Sequence, residues 1–153
     1  MATKLGAKRS RLYEADFYVW ALEQAGHLRA RRFDALDLDN LIEELEGLAD
    51  TKLSAVLNGA RVVMEHLLKL QHSPAREPRN GWRATVREHR RRIQIDLTPR
   101  IEQSLAGQLE RFYAMARDDA AAGMRDHGEA AVADALPPSC PYVLDQVTGD
   151  WWP

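Results

Sequence analysis

The sequence predicts an all-α fold: a single-domain helical bundle of about five or six helices, with a long central helix and a C-terminal aromatic tail packed back onto it. Three observations lead there. Apolar residues recur at steps of three and four along nearly the whole chain, which is the spacing of one helix face. No alternating apolar–polar run bounded by turn residues announces a strand. The segment 51–71 is apolar over so much of its circumference that it belongs in the middle of a bundle. At 153 residues the chain fits one domain. A chain of this size buries roughly 68–70% of its unfolded surface and needs neither metal nor disulfide to hold a core.

Residues 1–12 (MATKLGAKRSRL) are basic, lack an apolar signal-peptide core and read as a disordered arm before a helical domain over 13–153. A first helix is predicted from about Tyr13 to Arg32. Tyr13, Phe17, Trp20, Gln24 and Leu28 share one face, expected to dock deep in the core. Asp37 or Asp39 caps a second helix whose core face is Leu38, Leu41, Ile42, Leu45 and Leu48. Gly47 and Asp50-Thr51 are expected to break it, with Asp50 or Thr51 capping a third helix to about Gln71. That third helix turns Leu53, Leu57, Ala60, Met64 and Leu67 inward. A loop marked by Pro74, Pro78 and Gly81 follows, and Asn80 is the expected cap of a helix over about 81–97. Its inner face is Trp82, Val86, His89, Ile93 and Leu97. Thr98-Pro99 supplies a cap and a preset first helical residue for a fifth helix ending near Gly123. Ile101, Leu105, Leu109, Phe112 and Met115 form its inner face. A short segment at about 129–136 comes next, and then a last short helix capped by Ser139 or Cys140 with Pro141 at its first position. Trp151-Trp152-Pro153 packs back, because two tryptophans are costly to leave in water.

Charge is balanced overall, at −2, but unevenly placed. Asp39, Glu43, Glu46 and Asp50 make an acidic ladder roughly opposite the apolar face of their helix. Arg83, Arg87 and Arg90 make a basic ladder along a core boundary beside Trp82. The two ladders suit pairing with each other or contact with a partner. Seventeen of the 21 bases are arginine, the residue that makes planar two-point contacts to carboxylate or phosphate. The single cysteine, Cys140, excludes an intrachain disulfide and fits a cytoplasmic, reducing setting. No run approaches the roughly 20 apolar residues of a membrane span.

Several motifs occur in a telling order: Tyr13-Glu14-Ala15-Asp16-Phe17-Tyr18-Val19-Trp20, Leu36-Asp37-Leu38-Asp39-Asn40-Leu41-Ile42-Glu43-Glu44-Leu45-Glu46, His66-Leu67-Leu68-Lys69, Trp82-Arg83-Ala84-Thr85-Val86-Arg87-Glu88, and Cys140-Pro141-Tyr142 with the final Trp-Pro. In this combination the chain resembles the bacterial DUF29 family over about Tyr13 to Pro153. The resemblance implies a compact helical domain and brings no established activity, cofactor or catalytic residue. The family usually carries an aromatic after His-Leu-Leu-Lys; Leu70 stands there in this chain, which implies a difference in packing.

Each candidate site competes with a plainer explanation. Glu43, Glu44 and His66 suggest a carboxylate–histidine metal site, yet the chain has no Glu-x-x-His of the kind that di-metal bundles use. Solvated acids with boundary ion pairs explain the pattern without metal, and no cofactor is expected. His66 and Lys69 share a flank of the central helix, where a half-buried histidine bonded to a neighbour is the ordinary arrangement. His89 lies in a core stripe, with Glu44 or Tyr113 as candidate partners, and Glu44 at the core edge is also a candidate partner for an arginine. Cys140 before Pro141 would be reactive if a helix N-terminus lowered its pKa, and a packing residue otherwise. The arginines offer a phosphate-binding edge, but no nucleic-acid reader motif accompanies them. No P-loop, Gly-x-Ser-x-Gly or Gly-x-Gly-x-x-Gly motif is present. The reading that follows is a non-enzymatic interaction module that binds another protein or itself, for instance as a homodimer. An arginine-based nucleic-acid contact and a helix-borne metal enzyme are the alternatives.

Overall fold

Every regular element is helical in the computed structural model, which describes residues 11–153. The helices are α1 (Arg11–Ala15), α2 (Phe17–Arg29), α3 (Leu38–His72), α4 (Arg79–Asp96), α5 (Pro99–Asp126), α6 (Ala130–Asp134) and α7 (Leu144–Thr148), with a 3₁₀ turn at Phe33–Ala35. Most of the predicted basic arm lies outside the described residues; Arg11 and Leu12 open α1. The chain forms two compact units, the first reaching Thr51 and the second running Lys52–Pro153.

In the first unit, the predicted first helix is divided at Asp16, whose carboxylate accepts from the Val19 N–H (3.0 Å) and caps α2. Arg31, in the left-handed region at φ 55°, reverses the chain after α2. Asp37 sits just ahead of α3 as expected, and its polar groups are engaged by side chains. Its carboxylate accepts from the Trp20 indole N–H (3.1 Å) and the Asn40 amide (2.8 Å), and its own N–H donates to the Gln24 side chain (2.8 Å). Among the described residues of this unit, Trp20, Gln24 and Asn40 are the buried ones, so a polar knot stands where an apolar layer was expected. Tyr13, Phe17 and Trp20 cluster beside it, Tyr13 edge to face with both other rings and Phe17 tilted against Trp20. Replacing Asp37 by alanine orphans two buried donors and is expected to cost about 2–3 kcal/mol. Faster amide exchange in α2 and a red-shifted Trp20 emission would report it.

The predicted break at 47–51 does not occur, and α3 runs through it for 35 residues. Thr51 turns its hydroxyl back to the Gly47 carbonyl (2.8 Å), so it is engaged inside the helix instead of capping a new one. The boundary between the units falls within α3.

The second unit holds the apolar core. Val56, Ala60, Val63, Met64, Leu67 and Leu68 of α3 meet Val86 and Ile93 of α4 and Leu105, Phe112, Tyr113 and Ala116 of α5. The Thr98 side chain caps α5 with Pro99 in its first turn, as predicted. Asn80 is not a cap: α4 already begins at Arg79, after Pro78. Gly123 does not end α5. The helix continues to Asp126 and stops at Gly128, whose φ of 80° suits glycine. Met115 is 45% exposed, because the buried face continues along Ala116, Ala120 and Met124 instead. The last helix starts at Leu144 and not at Pro141; Val143 occupies the cap position, its N–H donating to the Gln146 side chain (3.0 Å). The Trp151–Trp152 segment packs back as expected, with Trp151 against Tyr142 at a ring separation of 6.1 Å.

Candidate functional site

The basic ladder divides according to its surroundings. Arg83 and Arg87 are exposed, whereas Arg90 is only 6% exposed. The register of α4 turns Arg90 toward the chain around α7. There its guanidinium donates from Nε to the Val147 carbonyl (3.1 Å) and from Nη2 to the carbonyls of Gln146 (2.5 Å) and Trp151 (2.7 Å). The Trp152 ring lies 5.1 Å from the guanidinium carbon, within cation–π range. One turn on, the Gln94 amide donates to the Thr148 carbonyl (3.0 Å). Arg91 and Arg92 pair with Glu88 on their own helix. Arg90 is therefore an internal clamp, and the phosphate-binding set of three arginines is reduced to two. Trp82 is half-buried at the edge of the core.

Glu44 is partly buried, but the group it accepts from is the Tyr13 hydroxyl. Glu43 stands exposed on the acidic ladder. His66 faces the Val62 carbonyl through Nδ1 (2.9 Å), and the Lys69 ammonium pairs with Glu65 at 2.6 Å with both side chains 15% exposed. Among the described residues no three histidine, cysteine or acidic side chains stand together as a metal site. Of the two candidate partners for His89, Glu44 takes the Tyr13 hydroxyl and Tyr113 donates to the Pro137 carbonyl (2.6 Å).

Burial pushes His66 and His89 below the ordinary imidazole value of 6.5; for His89 the nearby Arg92 adds to the effect. The unfolded chain then takes up protons at a pH where the folded chain does not. The contribution of both groups to stability is complete above about pH 6.5 and is lost as the pH falls through the lowered values. The urea midpoint is expected to drop between pH 7.5 and 5.5, and a His66→Gln, His89→Gln variant to drop less.

Cys140 is not activated. Its thiol lies 4.0 Å from the Met64 sulfur and 3.5 Å from the Tyr142 carbonyl, and burial raises its pKa. It lies in extended chain before α7, with its N–H on the Glu110 carboxylate, so no helix N-terminus acts on it. Tyr113 beside it is pushed up to about 12, chiefly by burial.

The largest departure from expectation is in the first unit. The predicted core face of residues 38–48 is mostly in water: Leu38 is 55% exposed, Ile42 53%, Leu45 65% and Leu48 56%. Phe17, Tyr18, Leu22 and Leu28 on α2 are exposed as well, against the deep docking expected of Phe17 and Leu28. The polar knot explains this. Asn40 and Glu44, which point well away from the Leu38–Ile42–Leu45 line at about 100° per residue, face inward and take the place of the leucines. Asp37 was legible as a cap, but nothing in the spacing marks it as the hub joining Trp20, Gln24 and Asn40.

Among the described residues no helix is long and apolar enough to cross a membrane. Neither a curated protein nor a solved structure matches the chain. The family model described as domain of unknown function DUF29 matches residues 12–152, nearly the whole length. The motif order from the Tyr13 segment to the final Trp-Pro is thus that of a known lineage, and the chain belongs to the DUF29 family.

Proposed function

We propose that this protein is a non-enzymatic helical module that self-associates, with a second copy covering the apolar face of its N-terminal unit. The observation that carries this reading is the stripe Leu38, Ile42, Leu45 and Leu48, more than half exposed along one side of α3. With Phe17, Tyr18, Leu22 and Leu28 it leaves eight large apolar side chains open. At on the order of 70–100 Å² apiece these present about 600–800 Å². Summed over the two helices, that is comparable with the ~800 Å² each partner gives to a standard interface.

A second copy is favoured over other occupants because the matching surface is present in the chain's own N-terminal unit. The large apolar residues exposed in the second unit are Ile95, Met115 and Val143, which sit on different elements and form no stripe. The acidic ladder lies well round α3 from the stripe, so association leaves those charges in water. Light scattering on eluted protein over a concentration series tests the reading. The expected mass is twice that of the chain, and a strict monomer at hundreds of micromolar would overturn it.

A further inference from the structure

We infer that the second unit carries a binding site for a small amphipathic anion, an aromatic carboxylate, in a cleft bounded by the C-terminal end of α3, the start of α4 and the end of α5. The cleft has a volume of about 510 Å³, within the range of small-molecule sites. Trp82, Met124 and Pro78 give it apolar walls suited to a flat ring, and Lys69 and Arg76 supply cationic donors.

Lys69 carries the argument. Its ammonium is largely buried, lines the cleft and pairs with Glu65 at 2.6 Å. An ammonium has three N–H donors, so that one contact leaves capacity for a carboxylate. Gly123 stands opposite. A side-chain carbon there would lie 3.3 Å from the Lys69 nitrogen and 3.4 Å from the carbon next to it. Glycine inside a helix is destabilising relative to alanine, and here it neither ends α5 nor takes a positive φ. What it does is keep the cleft open beside the ammonium. Two acids also line the cleft. They are Glu129, which accepts from the Ser73 hydroxyl (2.9 Å) and keeps its charge, and the exposed Glu77; the spare donors of Lys69 and the Arg76 guanidinium are set against them.

The test is a nitrogen-15 NMR titration with 2-naphthoate and, separately, with the neutral 2-naphthalenemethanol. The expected shifts fall on amides of residues 69–82 and 123–129 and on the Trp82 indole. Lys69→Met should weaken naphthoate about tenfold and leave the alcohol unchanged. Gly123→Leu should abolish both while the remaining spectrum stays native. No shift at millimolar naphthoate, shifts confined to the N-terminal unit, or equal loss of acid and alcohol in Lys69→Met would each overturn the site.

Discussion

Replacing Arg90 by methionine is expected to cost about 2–4 kcal/mol of stability, because it takes a charged donor away from buried carbonyls. The variant leaves the carbonyls of Gln146, Val147 and Trp151 without their shared donor. It also removes the cation from the Trp152 ring. Urea unfolding measures the loss, and a red shift of tryptophan emission at zero denaturant would show Trp151 and Trp152 coming free. Arg90→Lys should recover less than half of the difference. Lysine keeps the charge but cannot present a planar fork to the Gln146 and Val147 carbonyls within α7 and the Trp151 carbonyl after it. A cost below about 1 kcal/mol for Arg90→Met would mean that the segment is held by its aromatic packing alone.

The second large effect is on association. Leu38→Glu, Ile42→Glu and Leu45→Glu together are expected to raise the dimer dissociation constant by at least about a hundredfold, since apolar anchors at an interface centre carry most of its energy. The same changes should leave the fold of the monomer nearly intact, because all three side chains are already more than half exposed. Circular dichroism separates the two effects: helicity is retained while the mass falls to that of one chain. A comparison triple on the acidic ladder, Asp39→Ser, Glu43→Gln and Glu46→Gln, should leave the mass unchanged.

What the sequence made legible follows from how local each signal is. Thr98-Pro99 needs only its own neighbours to start a helix, and α5 begins there. The apolar face of residues 53–67 was readable because its spacing dominates every competing signal, and it forms the core of the second unit. Thr51 and Gly123 were misread as helix boundaries for a shared reason. A Thr or Gly within a helical pattern is ambiguous until its hydroxyl or its missing side chain is matched to a neighbour. Thr51 answers to Gly47, one turn behind it, and Gly123 to Lys69 on another helix. Spacing places Arg90 on a core-boundary ladder but does not give its depth, and the groups it grips lie 56–61 residues further along. The stripe of residues 38–48 is the opposite case. Its periodicity is real, but the Asp37 knot turns a different side of α3 inward.

That stripe carries the central claim, and paramagnetic broadening between copies tests it most directly. A nitroxide is attached at Glu46→Cys, an exposed position on the acidic ladder of the same helix segment, in a chain whose Cys140 is replaced by serine. It is mixed with an equal amount of isotope-labelled, unmodified protein. Self-association through the N-terminal unit predicts broadening of the labelled copy's amides in α2 and in residues 38–50. No broadening between copies at hundreds of micromolar, or broadening confined to residues 79–153, would contradict it.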